Sequence, residues 1–115
     1  GWVTYSDEAK VEELGVPAEC ISEFGAVSSP VVISMAEGAR SRAKTDYAIA
    51  VSGIAGPTGE RPGKPVGFTC IACAGPQGTI VKEHHLGSGG RTRNKQRSMV
   101  LLLDLLRRVV DGLDP

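Results

Sequence analysis

Apolar residues recur along this chain with two periods, three to four residues in some segments and unbroken short runs in others. Trp2-Val3-Thr4-Tyr5 reads as a β segment at the very start. Ser6 followed by Asp7 and Glu8 makes a helix start, a capping hydroxyl ahead of acids in the first turn, and that helix is expected to stop near Gly15. Pro17 suits a first helical position; Ile21 and Phe24 then share a face before Gly25 ends a second helix. Ser29-Pro30 opens a third and longer helix with Val32, Met35, Ala36, Ala39 and Ala43 at helical spacing. The small residues Ala36, Gly38 and Ala39 predict close packing there against a sheet or a neighbouring helix.

The second half changes period. Ala48 to Ser52, entered from Tyr47, suits a buried strand. Phe68–Ala74 and Thr79–His85, joined by Gly75-Pro76-Gln77-Gly78, predict a hairpin of two antiparallel strands. A terminal helix follows Gly87-Ser88-Gly89-Gly90, with Met99, Leu102, Leu103, Leu106, Val109 and Val110 as its expected core-facing stripe up to Gly112. Strand, three helices, strand, hairpin and helix together predict an α/β domain: a mixed sheet with helices over its faces. No internal repeat or linker divides it.

Composition narrows the picture only slightly. The 115 residues suffice for one domain with a modest core, and 41% of them are apolar, as in ordinary globular chains. A formal net charge of zero argues against a protein built mainly to bind nucleic acid. The charge is unevenly spread, however: residues 1–39 hold seven acids against Lys10 alone, while residues 40–100 hold ten bases against three acids. That polarity suits a basic pocket for an anionic small molecule, or simply a solvated surface. No stretch is apolar enough to span a bilayer, and no signal-peptide pattern is present.

Three cysteines do not make a disulfide framework. Cys70 and Cys73 have C-x-x-C spacing, but three residues apart on a strand they point to opposite faces, and no second Cys/His pair completes a metal site. Buried reduced thiols and a cytoplasmic location are expected.

Chemistry concentrates around the central strand. The stretch after it is rich in Gly53, Gly56, Gly59 and Gly63, which leave backbone N–H groups uncovered, while Pro57, Pro62 and Pro65 stiffen the path. Loops past the ends of buried strands are where α/β proteins bind ligands. Ser52 and Gly53 end that strand, where a hydroxyl and the following N–H groups could engage a substrate or hold an oxyanion, or where Ser52 merely caps the strand end. Tyr5, Ser6 and Lys10 could converge on one site, since a lysine acts as general base once its environment favours the neutral amine; otherwise Lys10 is a solvated residue paired with Glu8 or Glu13. Lys64, between Gly63 and Pro65, is a cation on a rigid loop. Gly87–Gly90 followed by Arg91 joins free N–H groups at a helix start to a guanidinium, which suits an anion, with Arg93, Lys95 and Arg97 adding positive potential. His84 and His85 lie at a strand end with no partners for a triad and read as structural or surface residues.

Six ordered stretches then combine into a pattern: Tyr5-Ser-Asp-Glu-Ala-Lys10, Leu14-Gly-Val16, Gly25-Ala-Val-Ser28, Met35-Ala-Glu-Gly-Ala39, Val51-Ser-Gly-Ile-Ala-Gly-Pro57 and Lys64-Pro-Val-Gly67. Over nearly its whole length the chain resembles the C-terminal domain of the CinA (competence/damage-inducible) family, the nicotinamide-nucleotide amidohydrolases. The resemblance implies a three-layer α/β/α domain with a mixed sheet. It implies hydrolysis of nicotinamide mononucleotide to nicotinate mononucleotide and ammonia, in pyridine-nucleotide salvage, without metal or organic cofactor. It also implies a Ser–Lys mechanism through an acyl-enzyme.

On this resemblance Lys10 is the general base with Tyr5 in support. Ser52 stands where the family often has Thr, and with Gly53 it orients the amide. Lys64, Arg91 and the backbone of Gly89 and Gly90 grip the phosphate of a phosphorylated nucleotide substrate. Nucleic acid and membrane are not expected partners.

Two departures accompany the likeness. The family's nucleophile belongs to a Glu-Ser-Cys-Thr-Gly-Gly motif that occurs nowhere in these 115 residues, and Gly90 stands where the family has Asp beside Arg91. An N-terminally truncated domain is therefore expected, either from an amidohydrolase or as a non-catalytic nucleotide- or partner-binding relic. An incomplete sheet would expose an edge, so marginal stability or homo-oligomerisation is expected.

Overall fold

A computed structural model describes residues 1–115. Four helices and three strands follow in the order α1 (Asp7–Leu14), α2 (Ala18–Phe24), α3 (Ser29–Ala43), β1 (Ala48–Gly53), β2 (Phe68–Gly75), β3 (Gly78–His85) and α4 (Arg91–Val110). The sheet order is β1-β2-β3 with both pairings antiparallel; Ser52 lies opposite Cys70, and Thr69 opposite His84.

The helix starts follow local chemistry. Ser6 Oγ accepts the Ala9 N–H at 3.1 Å, and Ser28 Oγ caps α3 by accepting from Val31 N–H. Gly15 leaves α1 in the left-handed region, its N–H donating to the Val11 carbonyl while the Val16 N–H donates to the Lys10 carbonyl.

β2 runs through the centre and is buried along all eight residues, which is why its sequence is a continuous apolar run rather than an alternation. Its side chains still alternate between faces. Phe68, Cys70, Ala72 and Ala74 meet α1–α3 through Leu14, Val31, Val32, Met35 and Ala36. Ile71 and Cys73 meet α4 through Leu102 and Leu105. Helices thus cover both faces, giving the expected three-layer α/β/α domain, and the two C-x-x-C thiols point to opposite sides.

Close approach sets two glycines. A Cβ on Gly38 of α3 would stand 1.8 Å from the Leu14 carbonyl oxygen, so α1 and α3 touch backbone to backbone. Gly67 (φ +92°) lies against Gly87, whose carbonyl oxygen would be 2.3 Å from an added Cβ. That contact joins the segment before β2 to the loop after β3.

Four expectations are corrected. Residues 1–5 form no strand: Thr4 is buried, but the segment joins no sheet. The sheet is consequently antiparallel throughout rather than mixed, because the strand expected at residues 2–5 is not part of it. On α4 the buried stripe is Leu102 and Leu105, flanked by Leu101, Leu106 and Val109, whereas Met99, Leu103 and Val110 are about half exposed. Met99–Leu103 is an unbroken apolar run, so its periodicity leaves the inward face open until the sheet selects it. Phe24, paired with Ile21 by spacing, is also nearly half exposed while Ile21 is buried.

No helix is long and apolar enough to cross a membrane.

Candidate functional site

Two adjoining cavities lie at the open edge and C-terminal end of β1. The larger, about 710 Å³, runs between β1 and the N-terminal segment with α1 and α3, and Tyr5, Lys10, Ser52 and Gly53 all line it. The second, about 540 Å³, lies between the loop after β1 and the first turns of α4; Gly53, Gly56, Arg61, Arg91, Asn94 and Lys95 are among its walls. The two share Tyr5, Val27, Val51 and Gly53.

Lys10 is buried despite its position on a short acidic helix, only 6% exposed. Its Nζ donates to the Thr4 carbonyl at 2.8 Å, so the irregular N-terminal segment folds over α1 and is held there by the lysine. This replaces the solvated pairing with Glu8 or Glu13: neither forms an ion pair with it. One hydrogen bond leaves further donor positions on the ammonium for a ligand carbonyl. Tyr5 is 88% exposed at the rim common to both cavities.

Ser52 alternates with Val51 on β1. It points with Ala50 toward α1–α3, where its Oγ donates to the Ala26 carbonyl at 2.9 Å. The hydroxyl proton is thereby committed, and the oxygen's lone pairs remain free to accept from an amide N–H. Gly53 ends the strand against Thr69, with no room for a side chain there: an added Cβ would meet Thr69 Oγ1 at 2.9 Å.

Arg91, the first residue of α4, lies against the loop after β1, with Nη1 3.4 Å from the Gly56 carbonyl. No side chain caps α4 at Gly90, so the first N–H groups of a 20-residue helix remain unpaired beside this guanidinium. Arg61 and Lys95 add charge to the same walls.

Other residues singled out by sequence fall elsewhere. Lys64 lines neither cavity; its Nζ donates to the Phe24 carbonyl at the end of α2. Gly89 and Gly90 are exposed and line neither cavity, although Gly90 immediately precedes Arg91. His84 is half-buried, and burial, with the charge of Lys82, lowers its pKa from 6.5. The His85 ring packs tilted against Phe68, with centroids 5.2 Å apart. Burial pushes the Cys70 thiol up to about 11, with Glu83 adding to the shift, and raises that of Cys73.

Asn94 escaped the sequence reading. It is 3% exposed on α4, and its Nδ2 donates to both the Ala55 and Gly87 carbonyls, at 3.1 and 3.0 Å. One signal existed: a weak helix former at the fourth position of a helix, where it is not a cap.

Known proteins share this fold. The family model of the CinA C-terminal domain matches residues 1–110. A CinA-like protein of Fervidobacterium nodosum is 47% identical over 92% of the chain, and one of Akkermansia muciniphila 49% over 94%. The chain spans only 26% and 27% of those relatives' lengths. Among solved structures, a competence/damage inducible protein of Agrobacterium tumefaciens superposes with TM-score 0.89 at 39% identity, covering 92% of this chain and 65% of that one. The competence damage-inducible protein A of Klebsiella pneumoniae gives 0.90 at 34%, covering 97% and 69%.

Proposed function

This chain belongs to the CinA C-terminal domain family, and on that premise we propose that it forms the substrate-holding part of a nicotinamide-nucleotide amidohydrolase. The reaction consumes nicotinamide mononucleotide and water and yields nicotinate mononucleotide and ammonia. One observation carries this reading: the cavity lined by Lys10 and Ser52 adjoins the cavity lined by Arg91, the two sharing Tyr5, Val27, Val51 and Gly53. In this reading the carboxamide lies beside Lys10 and the phosphate at the start of α4. The amide N–H can donate to Ser52 Oγ, whose proton is already given to Ala26. The phosphate meets a guanidinium and unpaired helix N–H groups, a favourable pairing for an anion. Lys10 serves proton transfer, with Tyr5 at the rim.

A second reading, a binding domain without catalysis, has its own support. Ser52 spends its hydroxyl proton on Ala26, and the Glu-Ser-Cys-Thr-Gly-Gly motif does not occur in the sequence. Both readings require binding, so calorimetric titration of the 115-residue chain with nicotinamide mononucleotide tests the shared claim. Arg91→Ala should weaken binding about 10- to 100-fold, because hydrogen bonds to charged groups contribute roughly 1.5–3 kcal/mol. Unchanged affinity would remove the phosphate assignment. Ammonia is expected only when the chain is joined to the nucleophile-bearing segment; release by the chain alone would show that the nucleophile lies within it.

A further inference from the structure

The loop leaving β1 walls the second cavity opposite α4, and a second loop, leaving β3, leads into the start of α4 behind it. These strands are the two edges of the sheet, separated by β2, so no ladder hydrogen bond joins them. Near the site, backbone ties pass through Gly67, whose N–H donates to the Ile54 carbonyl and whose own carbonyl accepts from Leu86 N–H. From α4, Arg91 reaches the first loop at the Gly56 carbonyl and Arg97 the second at the Leu86 carbonyl, and Asn94 alone bonds both. Its two amide hydrogens go one to each loop, to Ala55 and to Gly87. Its Oδ1 is buried with no partner. A buried acceptor left empty is unfavourable, so the amide is present for its two donors.

No other side chain of this size supplies two N–H groups from one neutral nitrogen except the longer Gln. Asp would set oxygens against two carbonyl oxygens, and Leu would leave both carbonyls without donors. Arg91 lies three residues before Asn94 on the same helix face, and its long 3.4 Å contact to Gly56 does not by itself hold it. We infer that Asn94 is a positioning residue: by clamping the Ala55 and Gly87 loops to the first turn of α4 it sets where Arg91 and the helix N-terminus meet an anionic ligand. The inference rests on the proposed reading of this cavity as the phosphate end of the site. Both amide hydrogens of Asn94 are committed to the loops, so it donates none to the ligand, and a displaced Arg91 that loses its hydrogen bond to an anion costs about 10- to 100-fold in affinity.

The test uses the 115-residue chain, with Asn94→Leu and Asn94→Asp, under calorimetric titration with nicotinamide mononucleotide and amide hydrogen exchange. The expected result is a dissociation constant raised about 10- to 100-fold. It should come with faster exchange in residues 54–59 and 86–90 together, while β2 amides keep wild-type protection. Unchanged affinity in a folded variant overturns the clamp, as does faster exchange in only one loop. If the wild-type chain does not bind the nucleotide, the proposed function falls. The clamp is then judged on exchange alone, standing if both loops loosen and failing if they do not. Failure of both variants to fold would assign Asn94 a purely structural role and overturn the inference.

Discussion

Gly38→Ala opposes helix propensity to packing. In an isolated helix the change would stabilise by about 1 kcal/mol, because alanine is a far better helix former than glycine. Here the new methyl would stand 1.8 Å from the Leu14 carbonyl oxygen and 2.9 Å from its carbon, against about 3.4 Å for ordinary contact. The end of α1 must therefore withdraw by roughly 1.6 Å. A backbone carbonyl cannot rotate away as a side chain can, and Leu14 and Val16 beside it are packed core residues.

Overpacking of this kind costs about 1–3 kcal/mol, with rigid backbone at the upper end. Taking about 3 and subtracting the propensity gain leaves a net loss of about 2 kcal/mol. For a domain of this size that lowers the melting temperature by about 8 °C. Differential scanning calorimetry reads it directly, with Ser41→Ala on the exposed side of α3 as a control expected to match or exceed wild type. Since α1 also carries Lys10, the variant should bind the nucleotide more weakly. A Gly38→Ala protein melting at or above wild type would refute the claim that α1 and α3 meet backbone to backbone.

The thiols should separate by reactivity: with a disulfide reagent at pH 8, Cys20 titrates in the native protein, while Cys70 and Cys73, buried with raised pKa values, react only on unfolding. Two or three thiols reacting at one rate would contradict the sheet's burial. For His84 the folded pKa lies below 6.5, so the unfolded chain takes up the proton first. Stability is complete above pH 6.5, falls as pH drops through that value, and levels off once the folded imidazole is also protonated. His84→Gln should flatten the melting temperature between pH 7.5 and 5, and identical slopes would show that another group is responsible. Finally, β1 is an uncharged edge strand beside exposed Val51, so sedimentation should show association growing with concentration. A single monomeric species throughout the micromolar range would rule this out.

Much of the fold was legible in the residues. The caps and glycine stops placed α1 to α3, Gly75–Gly78 placed the hairpin, and the apolar run of β2 announced a strand covered on both faces. The motifs of the family were legible too, because Lys10, Ser52 and Lys64 occur within stretches whose order and spacing are distinctive. The site's assembly was not. Lys10 sits on a short helix of mostly polar residues, and nothing local says that residues 1–5 fold back to bury it against the Thr4 carbonyl. Lys64 and Arg91 look equally suited to an anion in sequence, yet one is turned to the end of α2 and the other to the cavity.

The division follows from the range of the forces. Capping, turn chemistry and hydrophobic period act over a few residues, so the chain specifies its elements by itself. Which face of α4 turns inward, whether residues 2–5 join the sheet, and which carbonyls Asn94 holds depend on groups 7 to 40 or more positions apart, such as Asn94 and Ala55. Only tertiary packing brings these together, because each contact exists only after the sheet and both helical layers have closed around it.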